Sequence, residues 1–129
     1  MIEALAIAIA TFEGFFIPNS RAQRNMNPGN LRAGPRAIGK DDAGYAIYPS
    51  MDAGWADLRR QIERNIGRGV TLLEFFTGKP GVYAGYAPAA DQNHPLNYAR
   101  FVADKTGLAL DTPLDQQATG PPDPSSGRT

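Results

Sequence analysis

The sequence predicts a mainly α-helical chain of the α+β class with one small β-hairpin. Three observations lead there. Met1 to Phe16 is almost wholly apolar with helical periodicity, Met51 to Ile66 carries an apolar stripe beside a polar face, and a β-favouring Tyr45-Ala46-Ile47-Tyr48 run follows a turn-rich cluster. The 129 residues suit one domain, and a chain of that size can bury a real core. With 42% hydrophobic and 20% charged residues the composition is globular.

Formal net charge is zero, so no general field draws the chain to nucleic acid or to an anionic cell wall. Recognition of a polyanion would have to be local. The absence of cysteine excludes disulfides and thiolate metal sites. His94 is the single histidine, which excludes a histidine-rich metal site and argues against a Ser-His-Asp triad. No metal or organic cofactor is implied. The apolar run Ala4 to Ala10 is short and lacks a positive n-region, Glu3 being the charge before it. It therefore reads as a core helix rather than a signal peptide. No stretch is long enough to span a membrane.

Taken in order, the first helix is expected from about Ile2 to Gly14, with Ile2, Leu5, Ile9, Phe12 and Phe16 on its buried stripe. Pro18 and Asn19 stop it. Arg21, Arg24, Arg32 and Arg36 then fall in a loop region rich in Asn, Gly and Pro. Within it Asn27-Pro28-Gly29-Asn30 has type II turn chemistry, Pro at the second position and Gly supplying a positive φ at the third. Pro35 to Pro49 is expected to form the hairpin. Ser50 is the N-cap of the next helix, with Asp52 in its first turn. Met51, Trp55, Leu58, Ile62 and Ile66 face inward, Arg59, Arg60, Glu63 and Arg64 outward, and Gly67 to Gly69 ends the helix. Trp55 reads as core, or else as a sugar-stacking platform.

Thr71 caps a short helix, Leu72 to Phe76, with Glu74 completing a capping box, and Gly78 and Pro80 stop it. Gly81 to Pro88 is expected to be a loop, whose Tyr83 and Tyr86 either stack on sugars or pack the loop down. The last helix is expected from about Asn93 to Lys105, with Asp91 as N-cap and Leu96, Phe101 and Val102 inward. Tyr98 faces either the active side or the core, and His94 is a surface residue. Gly107 ends the helix, and Leu108, Leu110 and Leu114 tuck the following segment back. Residues 1–115 form the domain. Residues 116–129, rich in Gly, Pro and Ser without periodicity, are a disordered tail or linker.

Glu13 is the candidate for chemistry. A carboxylate near the carbonyl end of a helix is repelled by about 0.3–1 kcal/mol. Flanking Phe12, Phe15 and Phe16 would desolvate it, and both effects favour the protonated acid that glycoside cleavage needs. On spacing alone, Glu13 also fits an ordinary exposed acid at a helix end, with Gly14 as a cap.

Ala8-Ile9-Ala10-Thr11-Phe12-Glu13-Gly14-Phe15, followed by Asn25-Met26-Asn27-Pro28-Gly29-Asn30-Leu31-Arg32, resembles the phage and prophage lysozyme-like, lytic-transglycosylase-like proteins. The resemblance continues through Tyr45 to Tyr48, Ala53-Gly54-Trp55, Thr71-Leu72, Tyr86-Ala87-Pro88, Asp91 and Asn97-Tyr98 to Val102, up to about Leu114. It implies a two-lobed lysozyme-like domain with a cleft, in which Glu13 is the catalytic acid. It also implies that the loop from Asn27 to Arg32 lines the cleft, with Asn30 and Arg32 positioning an N-acetyl sugar. The hairpin becomes a cleft wall, and Tyr45, Tyr48 and Tyr98 become cleft residues.

The expected partner is the peptidoglycan glycan strand, cut at the β-1,4 bond between N-acetylmuramic acid and N-acetylglucosamine. A hydrolase usually needs a second carboxylate. Asp41, Asp42 and Asp52 are the candidates, and each has another explanation in a turn or a helix start. A single-Glu transglycosylase mechanism fits better. The alternative is a non-catalytic virion or cell-wall module that keeps the fold and binds glycan. A nucleic-acid patch built on Arg21 to Arg36 lacks the interleaved aromatics it would need. Lacking a signal peptide, the chain is expected to be made in the cytoplasm and delivered to the wall by a phage particle, a holin or a secretion machine.

Overall fold

The computed structural model describes residues 1–86 and 94–117. They are mostly helical, with two small antiparallel strand pairs, as an α+β chain should be. The chain divides into two compact units, Ile2–Asn65 and the chain from Ile66 onward, with which Met1 groups.

In the first unit α1 is Ile2–Phe12, α2 is Arg21–Arg24, β1 is Gly39–Lys40, β2 is Ala46–Ile47, and α3 is Met51–Gly67, its last turn crossing the division. Helix α1 buries Leu5, Ala6, Ala8, Ile9 and Ala10, a face too wide for an ordinary surface helix. It ends two residues earlier than its periodicity suggests. Gly14 takes a left-handed φ of 78°, the Phe15 N–H donates to Ala10 O at 3.0 Å, and the Gly14 N–H donates to Thr11 O at 3.1 Å. That is a Schellman cap, and it makes Glu13 the C-cap residue. The cap also breaks the helical phase. Phe15, not Phe16, turns inward to pack with Ala10, Ala22 and Trp55, while Phe12 and Phe16 stay 43% and 57% exposed. The expected Phe12 and Phe16 stripe is corrected accordingly.

Arg21 and Arg24, expected in a loop, lie on α2. Ser20 caps that short helix, accepting from the Gln23 N–H at 3.2 Å. The hairpin forms within the expected range, with Gly39 opposite Ile47 and Lys40 opposite Ala46. On α3 Ser50 caps as expected, accepting from the Ala53 N–H at 3.1 Å. Leu58 and Ile62 are fully buried, and Arg59, Arg60, Glu63 and Arg64 face water. Met51 is 46% exposed, because it is the first residue of the helix and precedes the packed turns.

In the second unit α4 is Leu72–Thr77, β3 is Gly78–Lys79, β4 is Tyr83–Ala84 and α5 is Pro95–Thr106, followed by a 3-10 turn at Leu114–Gln116. The β3–β4 hairpin replaces the loop expected over its range, since Gly78 leaves α4 at φ 74° and turns the chain back on itself. Phe75 stacks on Tyr86, and Phe76 stacks on Tyr98 with centroids 4.4 Å apart. Val102, Leu72 and Leu114 complete this core. Leu96, expected inward, is 42% exposed in the first turn of α5. His94 holds the N-cap position; Asp91 and residues 118–129 of the tail expected over 116–129 lie outside the described residues. Gln116 ends the 3-10 turn, and the Gln117 side chain bonds the Ala109 and Thr112 backbone. Gly107 closes α5 at φ 76°, and the segment after it returns, Leu110 O accepting from the Leu73 N–H and the Leu114 N–H donating to Val70 O.

Helix α4 has six residues, so its start matters. The Glu74 N–H donates to Thr71 Oγ1 at 3.1 Å and the Thr71 N–H donates to Glu74 Oε1 at 3.0 Å. Thr71→Ala removes one half of this box and should lower stability by about 1 kcal/mol, measured as a shift in the urea midpoint. No described helix is long and apolar enough to cross a membrane.

Candidate functional site

Glu13 and the loop that follows α2 meet in the first unit. The Schellman cap fixes the backbone of Glu13, and Asn30 Nδ2 donates to Glu13 Oε1 at 3.0 Å. Both residues are half-buried. Asn30 reaches the acid through an uncommon backbone. Its N–H donates to Asn27 O at 3.0 Å, and its own φ is 47°. The expected type II turn placed the positive φ on Gly29. The structure moves it to Asn30, a residue type that tolerates the left-handed region and aims its amide from it.

Asn27 has a different task. It is fully buried, and its Oδ1 accepts from the Leu31 N–H while its Nδ2 donates to Leu31 O and Ala46 O, all at 2.9 Å. The Ala46 N–H returns a bond to Leu31 O at 2.9 Å. The Asn27 side chain is thus spent on backbone groups, and it ties the loop to β2.

On the other side, α3 supplies a seat for the same loop. Gly54 lies where any Cβ would meet the Met26 carbonyl oxygen inside contact distance and Pro28 Cδ at 2.9 Å. The loop backbone therefore rests directly on the helix.

Beyond Leu31, the Arg32 guanidinium carbon stands 4.4 Å from the centre of the Tyr45 ring. Its Nη1 donates to Ala43 O at 3.2 Å. Arg21, from α2, stands 4.7 Å from the same ring. Nothing in the spacing of Arg21 and Tyr45 announced that pairing. Arg32 is exposed and Tyr45 half-buried.

Asp41, one of the candidates for a second carboxylate, is built into the hairpin turn. Its Oδ2 accepts from Asn25 Nδ2, and its Oδ1 accepts from the N–H groups of Ala43 and Tyr45, all at 2.9 Å. The Asn25 bond, then the Tyr45 N–H, holds its carboxyl below the ordinary carboxylate value. Asp42 is exposed in the same turn and Asp52 is exposed in the first turn of α3.

Tyr48 and Tyr98 are 3% and 2% exposed. The Tyr48 hydroxyl and the Asp57 carboxylate both lie against the backbone of Gly34. Burial, and next the Asp57 carboxylate, push its phenol well above the ordinary tyrosine value. Asp57 binds Arg36 twice, accepting from its side chain at 2.6 Å and from its backbone N–H at 3.0 Å. This cluster holds the chain after Arg32 against α3, and sequence reading missed it. A charged residue on the inward side of α3 was the available signal. Tyr98 belongs to the second unit, on the Phe76 ring. Among the described residues no cluster of His, Cys, Asp or Glu is arranged to hold a metal ion.

Comparison of the chain with protein-family models, with curated proteins and with solved structures finds no match.

Proposed function

We propose that the chain is a peptidoglycan-cleaving glycosidase of the lytic-transglycosylase kind, acting on the bond between N-acetylmuramic acid and N-acetylglucosamine. One observation carries this reading: the acid at the cap of α1 is met by the amide of the loop that the resemblance places opposite it. The lysozyme-like two-lobed fold and its cleft belong to the same proposal. Glu13 protonates the glycosidic oxygen as the bond to the anomeric carbon breaks. The resulting carboxylate then takes the proton of the sugar's own 6-hydroxyl, whose oxygen closes on the anomeric carbon. The products are a 1,6-anhydro sugar and a free 4-hydroxyl, and no water is consumed. The commitment of Asp41 to its turn favours this single-acid route over hydrolysis.

Arg32 and Tyr45 are the contacts proposed for the sugar, while Asn30, given that task by the resemblance, is bonded to Glu13. Asn27, Tyr48 and Tyr98, included in that set by the resemblance, serve the loop and the cores instead. A wall substrate requires delivery to the wall, for which a phage particle, a holin or a secretion machine is the proposed route. Mass spectrometry of digested peptidoglycan tests the chemistry. Anhydro-muropeptides are expected, whereas reducing-end products would replace this route with hydrolysis and require a second carboxylate.

A further inference from the structure

Asn27 and Asn30 sit three residues apart in one loop and are used in opposite ways. Asn27 satisfies both ends of its amide on backbone groups, as a residue that holds a loop should. Asn30 holds nothing of the loop with its side chain. Its Nδ2 goes to Glu13, and its Oδ1 is buried with no partner. Its backbone stands at φ 47°, the left-handed region that asparagine enters more readily than other non-glycine residues. An unmatched buried acceptor opposes folding, and the bond to the acid is what it accompanies.

We infer that Asn30 is a positioning residue for Glu13, holding Oε1 as a hydrogen-bond acceptor so that the exchangeable proton resides on Oε2. The inference rests on the proposal that Glu13 is the acid. A carboxyl oxygen can accept from an amide N–H whether the group is ionised or protonated on its other oxygen. The Asn30 bond therefore persists through the cycle. Oε2 delivers the proton to the glycosidic oxygen, and Oε2 takes one back from the 6-hydroxyl.

The charged side chains on α2, on the loop after it and on α3 have anchors of their own. Arg21 and Arg32 lie over Tyr45, Arg24 donates to the Asn19 carbonyl, Arg59 pairs with Glu3, and Asp57 pairs with Arg36. Asp52 is exposed in the first turn of α3. None of these anchors involves Asn30, so a substitution there leaves them in place.

The test is a carboxyl-carbon NMR titration of Glu13 in the wild type, Asn30→Gly and Asn30→Asp, beside kcat and KM on peptidoglycan. Glycine suits the left-handed backbone, so Asn30→Gly should fold at least as well as the wild type. Its Glu13 midpoint should rise by about one pH unit, since the ionised form loses a donor. Its kcat should fall about 10- to 100-fold with KM little changed. Asn30→Asp should raise the midpoint further by placing a like charge beside the acid. An unmoved midpoint in folded Asn30→Gly overturns the inference. A moved midpoint in a protein whose wild type releases no muropeptides upholds the pairing and removes the glycosidase proposal instead.

Discussion

Gly54→Ala is expected to cost stability and activity together. The added methyl would press on the Met26 carbonyl and on Pro28, both parts of the loop that carries Asn30. A backbone carbonyl cannot swing aside as a long side chain can. Either α3 or the loop must shift, and Asn27 already pins the loop to β2. Overpacking of this kind costs about 1–3 kcal/mol, and the upper end applies because backbone is struck. A displacement of even about 1 Å at Asn30 would lower the rate about 100-fold. Urea unfolding and muropeptide release measure the two effects. An unchanged urea midpoint would show that the loop does not rest on α3 as described.

Arg36→Ala is expected to be the most damaging change to an exposed side chain. Arg36 is 49% exposed, but its partner Asp57 is 1% exposed. Removing the guanidinium strands a buried carboxylate, which costs about 3 kcal/mol, the low end for a broken buried pair, because the Arg36 backbone N–H still donates to it. The pH dependence has a definite sign. Burial alone would raise the Asp57 carboxyl, but the Arg36 bonds and the Tyr48 hydroxyl bring it below its ordinary value of 3.8. A depressed folded value means that the Asp57 contribution is complete above that ordinary value and is lost as pH falls through the depressed one. Acid unfolding of the wild type should therefore show this loss, and Asp57→Asn should show a shallower acid limb. Equal acid limbs in the two proteins would contradict the assignment.

Much of this architecture was legible because local chemistry decided it. Thr71 with Glu74, Ser50 before α3, and Gly107 after α5 are signals that act within one turn of chain, and each cap forms where it was read. The hairpin before Pro49 was legible from its β-favouring run. What was not legible depended, except at the end of α1, on contacts distant in sequence. The end of α1 was misplaced by two residues because the apolar run continues through the Schellman cap, so periodicity counted Phe16 where the folded chain uses Phe15. Gly29 looked like the positive-φ residue on propensity, yet Asn30 holds that conformation while bonded to an acid seventeen positions away. Asp57 was not singled out, because Arg36 beside it lies twenty-one positions away in sequence. In the site, the resemblance set the Asn27 to Arg32 loop opposite Glu13 but gave Asn30 to the sugar, so its bond to the acid was not read, and the burial of Tyr48 and Tyr98 depended on contacts that no spacing encodes.

The central claim is that Glu13 is the proton donor and acceptor of a glycan-cleaving site. The direct measurement is release of soluble muropeptides from purified peptidoglycan by the wild type and by Glu13→Gln, both shown to be folded by circular dichroism. Glutamine keeps the size of the side chain and an acceptor for Asn30 but has no acidic proton. The account predicts release by the wild type and a loss of about 100- to 10,000-fold in the variant. Equal release by both proteins would contradict the role of Glu13. No release by either would contradict the enzyme reading itself and leave a glycan-binding or structural module of the wall or virion.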